Sequence, residues 1–235
     1  MHARWLYGNL IYWDTHQNRI IDAWGPGVRK FSLVGPRIPV ASADTLAGWT
    51  TTLVEAGAGE STVTAATTVN GGGLLITTDA ADNDGVNLQM QGEAFQLAAS
   101  SLIVIRAVLQ ISEATQSDLF VGLSITATDI LGGVTDSIGF RKVDASTTLT
   151  ALLEKNSTET TATAHTMVAD TDVTLELVCN GLSADFYVNG TPITQPALTN
   201  LPDDELLSPA IHFLAGSVNA KTCLVKEFVG FRIAA

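Results

Sequence analysis

Apolar residues in this chain recur at every second position, and tight-turn dipeptides separate the runs. Ile103, Ile105, Ala107, Leu109 and Ile111 form one such set, and Leu119, Val121, Leu123 and Ile125 the next. Val173, Leu175, Leu177 and Cys179, then Ala184, Phe186 and Val188, repeat the pattern. A period of two belongs to a strand with one buried face, because successive side chains point to opposite sides. Arg106, Gln110, Ser124, Glu176 and Asp185 are therefore expected to face outward. Asn70-Gly71, Asp84-Gly85, Asn180-Gly181 and Asn189-Gly190 supply turn signals around these runs. The 29 threonines, with many Val and Ile, suit pleated and half-buried surfaces. No long stretch keeps a 3.6-residue period, and Gln91 to Ser101 has room for a helical turn at most. About twelve strands over about 190 residues predict an all-β chain of two packed antiparallel sheets, a sandwich or jelly roll. No internal repeat of about 20–50 residues is present, which argues against propellers and solenoids.

The first forty residues read differently. They hold Arg4, Arg19, Arg29, Lys30 and Arg37 against Asp14 and Asp22, a local balance of +3. The remaining 195 residues carry seven basic and twenty-two acidic side chains, and the whole chain is at −12. Trp5, Trp13 and Trp24, three of the four tryptophans, lie in this stretch with Tyr7, Tyr12 and Phe31. Leu10 to Trp13 and Arg19 to Trp24 flank the polar Thr15 to Asn18 as a hairpin would. Gly25-Pro-Gly27, Gly35-Pro36 and Pro39 then break regular structure. We therefore expect residues 1–40 to form an aromatic and basic hairpin or extended arm, and residues 41–235 a sandwich domain. A two-stranded hairpin is marginal alone in water, so its aromatics must bury against something. Trp5, Tyr7, Tyr12, Trp13, Arg19, Trp24, Arg29 and Lys30 are the expected protein-binding residues, because Trp, Tyr and Arg dominate interface hot spots.

The composition excludes several classes. At 46% hydrophobic and 15% charged residues the chain can bury a core, which excludes wholesale disorder. No apolar run approaches the roughly 18–20 residues of a membrane span. The negative charge repels phosphate backbones and anionic lipid, so neither nucleic acid nor membrane is an expected partner. Asn9 and Asp14 interrupt the N-terminal apolar run, so no signal peptide is expected, and the two sequons at Asn156 and Asn189 then carry no weight. Cys179 and Cys223 each sit on an apolar strand face and read as small core hydrophobes in a reducing cytoplasm, with a disulfide open only if their strands are neighbours.

Catalytic and metal motifs are sparse. Asp79, Asp82, Asp84 and Gly85 suggest a calcium loop, but with Gly85 at its sixth position the first and twelfth ligand positions are Ala80 and Gln91. His2, His16, His165 and His212 form no zinc-type spacing. Gly71-Gly72-Gly73 lacks the lysine of a phosphate loop, and no nucleophile elbow occurs. Glu154, Glu176 and Asp185 are outward strand carboxylates of the kind a glycosidase pairs, but the body offers only Trp49 and Tyr187 to stack a sugar. The expectation is therefore a chain with no catalytic residues, metal or cofactor, and not an enzyme.

The hairpin Phe186-Tyr-Val-Asn-Gly190 with Ile193 resembles the late hairpin of concanavalin-like (laminin-G-like) sandwiches. Asn200-Leu-Pro-Asp-Asp-Glu205, Leu207-Ser-Pro-Ala-Ile211, the closing strand Thr222 to Ile233 and Gly139-Phe-Arg-Lys142 together resemble bacteriophage structural proteins with that jelly roll, including capsid decoration (cement) proteins. The resemblance spans about residues 49–233. It implies a homotrimer or other small oligomer on the capsid exterior, assembled in bacterial cytoplasm and tying major capsid protein subunits together. A carbohydrate-binding or host-attachment module of a phage particle is the alternative on the same fold.

Overall fold

The computed structural model describes residues 2–6, 9–14, 19–24, 28–34, 40–42, 45–55, 59–66 and 72–234, with side chains at 31–33 and, within these ranges, from 46 to 233. Two antiparallel sheets share one apolar core. The first runs β16 (Thr158–Thr166), β15 (Thr148–Lys155), β14 (Ser137–Lys142), β13 (Ser117–Ser124), β20 (Leu206–Ala215), β10 (Gly85–Met90) and β7 (Trp49–Val54), and β11 (Phe95–Gln96) also pairs with β20. The second runs β19 (Thr191–Pro192), β18 (Ala184–Val188), β17 (Val173–Cys179), β12 (Ser101–Ile111), β21 (Thr222–Ala234), β9 (Leu74–Thr77) and β8 (Thr62–Ala65), and β4 (Val28–Val34) also pairs with β21. Ahead of the sandwich, β1 (His2–Leu6), β2 (Asn9–Asp14) and β3 (Arg19–Trp24) form a three-stranded meander, and β5 (Val40–Ser42) pairs with β6 (Thr45–Leu46). The fold is an all-β, concanavalin-like jelly roll. Gln91 to Ser101 holds β11 and turns rather than helix.

In the second sheet burial follows the sequence alternation. β12 is buried at every odd residue from Ser101 to Ile111, and β17 and β18 alternate likewise. On the outward face Arg106 lies between two carboxylates, its Nε donating to Glu227 at 2.9 Å and its Nη1 to Glu176 at 2.6 Å.

The last strand corrects a phase error. Simple alternation from Cys223 puts Val225, Val229 and Phe231 on the core side, with Glu227 intruding among them. The structure has a bulge instead: Leu109 pairs with Val225 and Val108 with Glu227, so Lys226 is the extra residue. The added residue flips the face of everything after it. Phe228 thereby enters the core, Glu227 turns out to Arg106, and Val229 stays half-buried.

Phe228 belongs to an aromatic cluster with Phe31, Trp49 and Phe95. Phe31 packs edge-on against Phe228, with ring centroids 4.7 Å apart, and against Trp49 at 5.9 Å and Phe95 at 6.0 Å. Phe31 comes from β4, so residues 28–34, which the sequence reading assigns to the arm, form a sandwich strand whose Phe31 and Leu33 are core residues. Cys179 stands opposite Ile103 and Cys223 opposite Ile111, at two ends of β12, so the thiols are separate, free and buried, and burial pushes both thiol pKa values up.

Asn189-Gly190 turns with φ of 51° and 76°, the positive pair that a type I′ hairpin requires. Asn156-Ser157, noticed in the sequence only as a sequon, makes the same turn with φ of 50° and 61°. Asp84-Gly85 is no hairpin turn, since Gly85 already opens β10. Asn70-Gly71 lies outside the described residues.

The bulge makes a testable contrast. Phe228→Ala should cost about 3–5 kcal/mol of unfolding free energy, as a large aromatic deletion in a packed core does, whereas Val229→Ala should cost about 1 kcal/mol or less. Urea midpoints of the two variants measure the difference, and equal losses would contradict the register.

Candidate functional site

The outer face of the first sheet is the most elaborated surface of the molecule. Along β10, β13, β14 and β20 nearly every residue is buried on both sides of the sheet. Core-facing Leu119, Val121 and Leu123 behave as the sequence predicts, but Phe120 and Ser124, which face away, are buried as fully. The cover is residues 125–136, the connection between β13 and β14. Adjacent antiparallel strands need only a turn of about two to five residues, so this segment is an excursion, and it crosses the sheet as a strap.

Small residues lie beneath it, two of them where adjacent strands approach too closely for any side chain. Gly122 and Gly139 are opposite one another, and a Cβ on either would lie 2.2 Å or 2.3 Å from a neighbouring backbone carbonyl oxygen. Beside them Ala210 leaves a shallow floor walled by Phe120 and Leu152. Ile130 and Val134 of the strap fill it, forming a second, smaller core.

Side-chain amides then fasten the strap edge. Gln89 Nε2 donates to the Ile125 carbonyl at 2.9 Å, and the Ala127 N–H donates back to Gln89 Oε1 at 2.8 Å. Asn87 Nδ2 donates to the Ala127 carbonyl at 2.6 Å. The Ile130 N–H donates to Nδ1 of His212 at 3.1 Å, and the Ile125 N–H donates to the Asp136 carbonyl at 3.1 Å to close the neck. His212 is fully buried, and desolvation pushes its pKa down to about 4 despite Asp129, whose Oδ1 lies 3.7 Å from Nε2. The imidazole is thus neutral at pH 7, with its proton on Nε2. Beside the strap remains a groove of about 280 Å³ lined by Thr50, Thr52, Gln89, Gln91, Thr126 and Thr128, among others.

At the β15–β16 side of this face Glu154 stands directly opposite Glu159. Two carboxylates at cross-strand distance repel, and their surroundings pull them apart in acidity. Burial raises the pKa of Glu154, although the Ser137 hydroxyl donates to it at 2.9 Å, whereas the bidentate Arg141 guanidinium lowers that of Glu159. Glu154 is the partner that takes a proton first. The sequence reading singled out Glu154 but paired it with Glu176 and Asp185, which lie on the second sheet.

The residues expected to bind protein are on other elements. Trp5 is on β1, Tyr12 and Trp13 on β2, and Arg19 and Trp24 on β3, with Trp5 and Trp24 both opposite Leu10 in the meander. Arg29 and Lys30 are on β4, opposite Arg232 and Phe231. Their side chains, and Tyr7 altogether, lie outside the described residues. At the suspected calcium loop the Asp79 N–H meets the Ser61 hydroxyl and Asp84 is buried at the start of β10. Among the described residues no three His, Cys, Asp or Glu groups are placed to hold a metal ion.

No family model matches this sequence, and no curated protein matches it. Solved structures do. A protein of unknown function from Shewanella oneidensis MR-1 aligns with TM-score 0.61 and 11% identity over 88% of this chain and 87% of its own. The endo-1,3-beta-glucanase of Streptomyces sioyaensis aligns at TM-score 0.56 and 11% identity, over 91% and 99%. The potassium-bound carbohydrate recognition domain of Emp46p aligns at 0.51 and 13%, over 78% and 88%. At such identities the likeness is one of fold. It is a fold that carries both enzymes and binding domains, which corrects the expectation that the chain is not an enzyme: missing motifs and scarce aromatics do not exclude catalysis on a sandwich that the glucanase also uses.

The strap is held chiefly by neutral hydrogen bonds, so single removals should be legible. Gln89→Ala strands the Ile125 carbonyl and the Ala127 N–H, and should weaken strap closure by about 1–3 kcal/mol without unfolding the sandwich. Hydrogen exchange at Ala127, compared with amides of β12, measures it.

Proposed function

We propose that this chain is a binding module whose main ligand is a protein surface, and that it serves as a decoration protein on the outside of a phage head. The observation that carries the reading is the strap. The broad outer sheet face, where a sandwich has room for an extended ligand, is occupied by the chain's own Ile130 and Val134. Docking then falls to the segment that the sandwich does not absorb. That segment is residues 1–27, whose three strands carry Trp5, Tyr12, Trp13, Arg19 and Trp24 in a small meander. Three strands with this many aromatics need a partner to bury against. The acidic, threonine-rich body suits dense display on a particle. The phage assignment itself rests on the sequence resemblance of residues 139–142, 186–193 and 200–233.

A carbohydrate-binding role is the second reading, and the groove favours it. Threonine hydroxyls at 50, 52, 126 and 128 and the Gln91 amide offer donors and acceptors to a polyol. Trp49, the body's one tryptophan for stacking a sugar, points into the core against Phe31 and Phe228. The protein-docking reading is the stronger for that reason.

The structure sets where a truncation must stop. Because β4 is a core strand, removing residues 1–27 should leave a folded sandwich, while removing 1–40 should not. The 28–235 protein is expected to keep its circular dichroism spectrum but lose co-sedimentation with particles and its trimer in sedimentation velocity. Trp13→Ala should recover part of that loss, about 2 kcal/mol if it is a hot spot. Undiminished particle binding by the 28–235 protein would overturn the reading, and glycan-dependent binding abolished by Gln91→Ala would favour the second.

A further inference from the structure

We infer that His212 is a proton-operated latch: as a neutral imidazole it holds the 125–136 strap on the sheet, and on protonation it releases the strap and bares the Phe120–Leu152–Ala210 floor. The geometry is specific about the proton. Nδ1 accepts the Ile130 N–H at 3.1 Å, so it must carry a lone pair. Protonation at that nitrogen would set one N–H against another, and the hydrogen bond that pins the centre of the strap would become a repulsion.

The surroundings offer the imidazolium little in return. His212 has no exposed surface. Across the sheet, β10 presents the amide of Asn87 and β13 presents the ring of Phe120. Asp118 stands two positions along β13 and Arg141 one strand further, on β14. From the strap itself comes Asp129, 3.7 Å from Nε2 and half in solvent, whose attraction is outweighed by desolvation. Nε2 makes no hydrogen bond, and neither does Oδ1 of Asn87 on the facing strand. A site that leaves the one imidazole proton unanswered is poorly made to keep a second. Opening the strap hydrates the ring and lifts that restriction.

The rest of the attachment is weak enough for one latch to matter. Asn87, Gln89 and the Glu93 carboxylate, which accepts the Thr126 N–H at 2.6 Å, hold only the strap's first three residues, and beyond them the buried apolar contact is Ile130 and Val134 with Leu131 partly buried beside them. The neck is tied independently, by the Asn156 N–H donating to Asp136 Oδ1 and the Ser157 N–H donating to the Thr135 carbonyl. Release would therefore swing the strap from its closed ends rather than unravel the sheet.

The direction with pH follows from linkage. The closed state binds the proton with a pKa of about 4, and an open, hydrated ring with the ordinary 6.5. Closure is therefore fully favoured above about pH 6.5 and is lost progressively as pH falls toward 4. The opening constant should rise about 20-fold at pH 5 and about 100-fold at pH 4 relative to pH 7.

Amide protection factors of Ala127 and Ile130, followed by hydrogen exchange at pH 7, 5 and 4 and corrected for intrinsic rates, test this on the full chain. Wild-type protection should fall by those factors in the strap, while β12 and β17 stay protected. His212→Asn keeps an acceptor near the Nδ1 position but does not titrate, so its strap should be nearly insensitive over the same range. Unchanged wild-type protection from pH 7 to 4 would overturn the inference, as would an acid response of His212→Asn equal to that of wild type. Should the variant not fold, the NMR titration of the His212 ring decides: its midpoint must coincide with that of strap opening, and a separate midpoint refutes the latch.

Discussion

The core between the sheets depends on one cluster of aromatic contacts. Phe31, Trp49, Phe95 and Phe228 come from β4, β7, β11 and β21, elements far apart in sequence that meet edge-to-face. Such rings combine a large buried area with directional packing, so they fix how the sheets close on each other at this end. They also anchor the first residues of the sandwich. Because Phe31 belongs to the cluster, the N-terminal segment is tied to the body from residue 28, directly after Gly25-Pro-Gly27, and not beyond Gly35-Pro36 and Pro39.

The first sheet adds a second constraint, that of burying its other face. A sheet with one wet face needs polar side chains there, yet β13 and β20 place Phe120, Gly122 and Ala210 on it. Those residues are tolerable only under a cover, and the strap is the cover. Its backbone brings buried polar groups that must be met, which accounts for Asn87, Gln89 and His212 at positions where a solvated sheet would need none of their shapes. Apolar floor, side-chain amides and strap are one unit.

That unit also shapes what the molecule can do. Sandwiches of similar fold include an endo-1,3-beta-glucanase and a carbohydrate recognition domain, so the fold by itself is permissive of catalysis and of binding. In this chain the face is closed by its own loop, with a groove beside Thr50, Gln91 and Thr126 at one side and the exposed Glu159 carboxylate over buried Glu154 at the other.

Strand content, antiparallel pairing and the jelly-roll class were legible in the sequence because period-two alternation and Asn-Gly turns are local signals, carried by residues such as Ile103 to Ile111 and Asn189-Gly190. Local signals also showed the hairpin of β2 and β3 and the buried, inert character of both cysteines. The bulge at Lys226 was not legible, since an extra residue in a strand looks the same in sequence as an intruding Glu227 until the partner strand counts against it. The strap was missed for the same reason: Ser124 read as outward, which is correct for its direction, yet it is fully buried. Alternation reports which side of a sheet a residue faces. Only the tertiary structure decides what lies on that side, because the cover over the sheet comes from a loop whose own sequence carries no period at all.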